Sequence, residues 1–164
     1  RVHRFYSDGP EQPYMLQIVQ DSNKIVDDCK LFMTYDTVHP ARSEDWAFWL
    51  DEGDGYIGLS SFQTKDGSEY VRVWQDEAAE HVVEEDESGN QITRIPPLQL
   101  EETIYLDPFG KEKEVVRYES MLYGRHVNEK VDEFILLSSV DEQDGASIQL
   151  MVGIEVGPAS IKVI

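Results

Sequence analysis

Cysteine, basic residues and long apolar runs are all scarce in this sequence. The single cysteine, Cys29, excludes an intrachain disulfide and a zinc site built from cysteines, and it favours a reducing cytoplasm. Apolar runs such as Phe134-Ile135-Leu136-Leu137 are far shorter than the about 20 residues of a transmembrane helix, so we predict no direct membrane insertion. No secretory signal is visible. The chain begins at Arg1 and not at Met, so we expect a trimmed N-terminus that a signal or anchor could precede.

The excess of acidic residues is the strongest feature of the composition. The chain has 33 acidic and 14 basic residues, which gives a formal net charge of −19. Nucleic-acid phosphates and anionic membrane surfaces repel such a chain, so we predict no nucleic-acid partner. Basic proteins, polyamines and metal cations are attracted. The simpler interpretation is that the charge keeps the protein soluble.

The hydrophobic pattern indicates one mostly β domain over residues 1–164. Its 164 residues fit a single domain, and alternation with a period of two dominates. From Ile148 onward the alternation predicts a strand with Gln149 and Glu155 on a wet face. The Phe134-Ile135-Leu136-Leu137 run predicts a strand covered on both faces. The predicted strands are 2–6, 14–19, 30–35, 68–74, 103–106, 114–123, 133–140, 148–156 and 159–164.

One short helix is predicted near residues 43–51. Ser43 is a suitable N-cap, and Trp46, Trp49 and Leu50 share one face at helical spacing. The predicted fold class is therefore mostly β (α+β), with an antiparallel sheet. The sheet could form a sandwich or a partly open barrel, because strand order is not readable from periodicity.

Two charged segments are candidate binding surfaces. The first is acidic, lies in residues 76–87, and consists of Asp76, Glu77, Glu80, Glu84, Glu85, Asp86 and Glu87. It could dock a basic partner, or it could be an exposed strand or loop before a turn at Gly89-Asn90. The second is a basic stripe on a predicted strand, formed by Lys111, Lys113, Arg117 and Arg125. It could pair with an anion, although cross-strand pairing with carboxylates is the simplest account.

No catalytic, cofactor or metal residues are predicted. The four histidines are scattered without the spacing of a zinc motif. Asp27 and Asp28 precede Cys29, and adjacent negative charge disfavours a thiolate nucleophile. The phosphate-binding loop, the dinucleotide fingerprint and the nucleophile elbow are all absent.

Several short motifs follow one another along nearly the whole chain. They are His3-Arg4-Phe5-Tyr6, Leu31-Phe32-Met33-Thr34-Tyr35-Asp36-Thr37, Trp46 with Trp49-Leu50, Ile57-Gly58-Leu59, Arg72-Val73-Trp74, Met121-Leu122-Tyr123-Gly124-Arg125, Val152-Gly153-Ile154 and Ile161-Lys162-Val163-Ile164. In this order they resemble an uncharacterised bacterial family, the YjfK-like domain of unknown function. The resemblance implies a cytoplasmic bacterial protein with no assigned activity, so no catalytic residues carry over. It also implies members encoded near phage-shock-like membrane stress proteins and polyamine-related ligases, and a family pattern that starts upstream of Arg1.

Three hypotheses of function follow. The leading one is a non-enzymatic interaction or accessory protein whose acidic surface binds a basic protein. The alternative is a small-molecule or cation-binding module for a polyamine or metal, which a concave site combining Trp or Tyr with carboxylates would favour. A hydrolase-type enzyme comes third, since it needs a buried carboxylate with a raised pKa in a cleft. The oligomeric state cannot be predicted.

Overall fold

A computed structural model describes residues 2–7, 14–38, 58–74, 81–85, 88–105, 109, 111–142 and 145–161. The described chain is almost entirely β-strand. The strands are β1 (Val2–Tyr6), β2 (Tyr14–Gln20), β3 (Val26–Val38), β4 (Ser61–Gln63), β5 (Glu69–Arg72), β6 (Val82–Glu85), β7 (Gln91–Arg94), β8 (Leu98–Tyr105), β9 (Lys113–Asn128), β10 (Val131–Glu142) and β11 (Gly145–Glu155). The predicted mostly β antiparallel class is confirmed.

Nine of these strands form one antiparallel sheet. Its order is β1-β2-β3-β11-β10-β9, and two shorter units then share the far edge of β9. Strand β8 pairs with the first half of β9, and β5, with β4 beside it, pairs near Tyr123 and Gly124 in the second half. The remaining strands, β6 and β7, form a separate two-stranded sheet.

The sheet has an inner and an outer face, and each carries its own apolar cluster. Residues directly opposite in an antiparallel ladder point to the same face, so the register assigns the faces. The inner cluster comprises Met15, Phe32, Leu122, Phe134, Leu136 and Met151, with Trp74 packed against it. The outer cluster comprises Tyr70, Met121, Tyr123, Ile135, Leu137 and Ile148, with Phe62 and Leu150 packed against it.

The sheet curls around its inner face until its two ends meet through side chains. Arg4 of β1 donates a hydrogen bond to Tyr118 of β9, and its Nη1 lies 3.7 Å from Glu102 Oε2 of β8. No backbone pairing joins β1 to β8 among the described residues, and the sheet is not closed into a barrel.

The predicted strands over 2–140 are all confirmed, with changed ends, but two predictions fail near the C-terminus. The predicted strand 159–164 is wrong at its start, because Pro158–Ser160 form a 3₁₀-helix, and residues 162–164 lie outside the described residues. Pro158 lacks an N–H for a ladder and its φ suits a turn, which ends the extended chain. The predicted wet face of β11 is wrong at Met151, which is buried in the inner cluster because the curl covers that face. The predicted helix near 43–51 lies outside the described residues.

Candidate functional site

The β6–β7 hairpin stands apart from the main sheet. Its links to the rest of the described chain are an isolated bridge between Leu59 and Arg94 and backbone hydrogen bonds beside it, such as Ser60 N to Thr93 O at 2.9 Å. All four residues of β6 are exposed, including Val82 (48 %) and Val83 (60 %). An exposed valine pair beside two glutamates is the arrangement of an interaction surface more than of a packed strand.

The hairpin carries the described part of the predicted acidic segment. Glu84 and Glu85 lie on β6, and Glu84 Oε2 accepts a hydrogen bond from Arg94 Nε at 2.9 Å. Gly89 turns the chain toward β7 with a φ of +81°, in the left-handed region that glycine favours. The other members lie outside the described residues: Asp76, Glu77, Glu80, Asp86 and Glu87.

The basic stripe is spread along β9 and does not converge on one point. Arg117 pairs with Glu101 of β8 at 3.2 Å, and both side chains are exposed. Arg125 pairs with Glu133 of β10 at 2.9 Å. Lys113 is the first residue of β9, and Lys111 precedes the strand, with its Nζ 6.0 Å from the centre of the Phe109 ring. Cross-strand pairing therefore accounts for the two arginines.

The β4–β5 hairpin and the outer face of β3, β10 and β11 line a cleft of about 620 Å³, called here the outer cleft. Its floor is apolar and its rim is polar. The floor includes Ile135, Leu137, Leu150 and Val152. Aromatic residues, two carboxylates and other rim residues complete the lining: Tyr35, Phe62, Gln63, Thr64, Lys65, Asp66, Tyr70 and Glu133.

Aromatic packing fixes one wall of the outer cleft. The Phe62 ring stacks on Tyr70, with centroids 5.5 Å apart, and meets the edge of Tyr123 at 5.0 Å. Tyr123 is fully buried and donates to Leu59 O at 2.7 Å, so this wall rests on the core of the outer face.

A hydrogen-bonded network lies at one end of the outer cleft. Tyr70 donates to Glu133 Oε1, which also pairs with Arg125 Nε, and the Arg125 guanidinium lies 5.1 Å above the Tyr70 ring. Burial, and then the neighbouring Glu133 carboxylate, raise the pKa of Tyr70 to about 12, so the phenol is neutral and donates. The hydrogen bond to Glu133 likewise raises the pKa of Arg125.

At the rim, Asp66 adds a negative charge. Hydrogen bonds from the Thr64 hydroxyl and from the backbone and side chain of Ser68 lower the pKa of its carboxyl, so Asp66 is ionised at neutral pH. The outer cleft thus combines aromatic faces with carboxylates, the pair of features that recognises organic cations.

Among the described residues, no group of three or more His, Cys, Asp and Glu side chains could hold a metal ion. His3 bonds to Gln20 at 2.9 Å, and His126 pairs with Asp132 at the surface. Cys29 is buried, and burial followed by the Asp28 charge raises the pKa of its thiol, which opposes nucleophilic chemistry.

Sequence reasoning missed the contacts that join distant strands. The alternation of side chains along a strand places Tyr70 and Arg72 on the same face. Nothing in the sequence, however, pairs Tyr70 with Glu133 or Arg4 with Tyr118. The usable signal was weak: tyrosines and charged residues alternate in several strands, and polar groups inside a sheet need partners.

A family comparison places the chain. The family described as "Protein of unknown function (DUF2491)" matches residues 1–162. The chain belongs to this family. No curated protein and no solved structure shows a significant match to the chain.

Membership in the DUF2491 family brings no activity with it, so a functional proposal has to rest on the geometry described above. The predicted membership in an uncharacterised family is confirmed; the YjfK-like name is not. Within the part of the chain that the structure describes, no helix has both the length and the hydropathy of a transmembrane span.

Proposed function

We propose that this chain is a non-enzymatic, acidic interaction protein that binds a basic protein partner through the β6–β7 hairpin. The observation that carries the proposal is that none of the four β6 residues is buried, on a hairpin that lies off the main sheet. A strand that buries none of its side chains contributes little to the core, so its apolar members have no evident structural use.

The net charge of the protein and the exposed side chains of β6 favour a basic partner at this hairpin. The net charge of −19 steers cationic surfaces toward the protein and speeds encounter. Val83 and Glu85 lie on one face of β6, so Val83 offers exposed apolar area that a partner can bury, and Glu85 offers a charge beside it. Apolar contact supplies affinity, whereas the charges supply orientation and rate.

The test begins with a pull-down from native bacterial lysate at low and then high salt, with bound proteins identified by mass spectrometry. The captured basic protein is then titrated against wild type and the double variant Val83→Ser/Glu85→Gln. We expect binding to weaken by about tenfold or more, through lost apolar area and charge.

The matched control is Val115→Ser/Glu114→Gln on β9. It changes the net charge equally and also replaces one exposed valine, since Val115 is 51 % exposed. Equal binding by wild type and the hairpin variant, or an equal loss in both variants, would show that the hairpin is not the docking surface.

A second candidate is the binding of an organic amine in the outer cleft. The observation that favours it is the meeting of Tyr35, Phe62 and Tyr70 with Asp66 and Glu133 around one concavity. Aromatic faces and carboxylates attract ammonium groups, and the apolar floor suits an alkyl chain. The metal form of this candidate has no ligand cluster among the described residues.

Spermidine is the probe for this candidate. Thermal unfolding at constant ionic strength should shift upward with spermidine and not with sodium chloride. The shift should shrink in Asp66→Asn and Tyr35→Ala and persist in the surface control Asp21→Asn. A shift of the same size in all variants would reduce the effect to general charge screening.

We also propose the YjfK-like assignment and a cytoplasmic location, and we rank a hydrolase-type activity last. The hydrolase hypothesis needs a carboxylate with a raised pKa, and the shifted carboxyl in the outer cleft, Asp66, is shifted downward.

A further inference from the structure

Strands β1 and β8 face each other across a cleft of about 540 Å³, called here the seam. Side chains bridge its inner side. Arg4 contacts Tyr118 and Glu102, and Tyr6 donates to Glu102 Oε2 at 3.4 Å. Tyr118 also donates to Glu102, at 2.9 Å. The remaining lining residues come from β1 and β8: Val2, His3, Phe5, Leu100, Glu101 and Thr103.

The direction of the strands excludes antiparallel pairing across the seam. Each of the six steps along β1-β2-β3-β11-β10-β9-β8 is antiparallel, so β1 and β8 run the same way. They cannot pair with each other in the antiparallel manner of the rest of the sheet. One strand placed between them would be antiparallel to both and would bring the run to eight strands. Eight is the size at which side chains just fill a small closed barrel.

Within the part of the chain that the structure describes, the β1 edge has backbone groups without a strand partner, and they point into the seam. Ser7 N donates to Tyr14 O, and hydrogen-bonded pairs alternate along an antiparallel ladder. The N–H and C=O groups of Val2, Arg4 and Tyr6 therefore point away from β2. An unpaired edge of this kind is a template for another strand.

Two buried donors, one lining the seam and one on the neighbouring strand β2, also lack an acceptor. Among the described residues, Arg4 Nη2 and Gln17 Nε2 have no hydrogen-bond partner, although the Arg4 side chain is only 6 % exposed and Gln17 only 1 %. The two side chains are joined, because Arg4 Nε donates to Gln17 Oε1 at 3.1 Å. Buried donors without acceptors are unfavourable, so the pair is ready for an oxygen supplied from outside.

We propose that the seam binds one extended segment of a partner polypeptide, which adds as a strand antiparallel to both β1 and β8. The backbone of the segment pairs with the two open edges, as in strand addition elsewhere. An inward-facing Asp, Asn, Glu or Gln of the segment supplies the oxygen that Arg4 Nη2 and Gln17 Nε2 lack. This site is separate from the β6–β7 hairpin, and neither proposal depends on the other.

Amide hydrogen exchange by NMR tests the edges first. In the protein alone, the amides of Arg4 and Tyr6 should exchange far faster than those of Ile135 and Leu136 in central strand β10. A pool of extended peptides of about nine residues, alternating valine and threonine with a central Asp or Asn, should then protect β1 and β8 together. The same pool with a central lysine should bind about tenfold more weakly, because the two donors gain no acceptor.

A cross-linked variant supplies the control. Phe5→Cys/Thr103→Cys, joined by a short bismaleimide, closes the seam and should abolish peptide protection, while the same variant before cross-linking retains it. Cys29 is buried and should not compete for the reagent.

Three outcomes would overturn the proposal. Slow exchange of both edges in the monomer would mean that the chain fills its own seam. Protection that grows with protein concentration, with a dimer by light scattering, would mean that a second copy fills it. Fast edges that no peptide of the pool protects would mean that the seam takes no strand.

Discussion

Replacing Gly153 by alanine should destabilise the protein by overpacking the inner face. Gly153 of β11 lies directly opposite Phe32 of β3, on the inner face. A Cβ at this position would contact the Phe32 ring and lie 2.8 Å from Leu31 O. Phe32 is fully buried in the inner cluster, so its ring has no free space into which to move. Because Gly153 has no side chain, the Phe32 ring can lie over β11 at this position.

The expected magnitude follows from the cost of overpacking. Extra atoms forced into a packed core destabilise by about 1–3 kcal/mol. At about 2–4 °C per kcal/mol for a domain of this size, the melting temperature should fall by about 2–12 °C. The assay is urea unfolding monitored by tryptophan fluorescence, supported by calorimetry.

Two further variants make this prediction refutable. Gly157→Ala is the control, because Gly157 has a φ of −63° and its nearest side-chain atom, Ser160 Oγ, lies 3.8 Å from an added Cβ. It should change stability by less than about 1 kcal/mol, toward greater stability. Phe32→Leu in the Gly153→Ala background should be less destabilising than the sum of the single changes. Wild-type stability for Gly153→Ala, with additive effects in the double variant, would refute the packing argument.

Three other predictions concern buried polar groups. Burial raises the pKa of Tyr70 to about 12, from about 10 in the unfolded chain, so the contribution of Tyr70 to stability is intact below about pH 10 and is lost toward pH 12. The urea midpoint of Tyr70→Phe should therefore decline less than that of the wild type between pH 10 and pH 12. An identical decline in both proteins would contradict this pKa. The hydroxyls of Ser120 and Ser138 are 2.7 Å apart and buried, so Ser138→Ala should destabilise by about 1–3 kcal/mol and the double alanine variant by less than twice that, as measured by chemical denaturation. Cys29, only 2 % exposed and with a raised thiol pKa, should react with a chromogenic disulfide reagent only at the rate of unfolding, and labelling within seconds under native conditions would argue against its burial.

The sequence was most informative about the burial of individual strands, which depends on the local pattern of apolar residues. The run from Phe134 to Leu137 predicted cover on both faces, and the structure confirms it: Phe134 and Leu136 lie in the inner cluster, and Ile135 and Leu137 in the outer one. Alternation also located the strands that carry Arg4, Tyr118 and Arg125, because apolar and polar residues alternate along a strand that is buried on one face.

Contacts across the sheet were beyond the reach of the same reasoning. The period of a strand assigns residues to faces but says nothing of how far the sheet curls. The curl brings Arg4 against Tyr118 and Glu102 and buries Met151 on a face that local polarity marked as wet. The outer cleft depends in the same way on a hairpin leaning over the sheet, which no local pattern encodes.

Strands β6 and β1 differ in a way that bears on both proposals. Strand β6 ends in Glu84 and Glu85, and charges at an exposed edge discourage pairing with other chains, so its hairpin suits contact through side chains. Strand β1 instead exposes Phe5 and Tyr6 and has no acidic residue. The exposed aromatic side chains of Phe5 and Tyr6 favour occupation of this edge, and the buried donors of Arg4 and Gln17 lie on the same side of the sheet. Strand addition therefore belongs to the seam, and side-chain docking to β6.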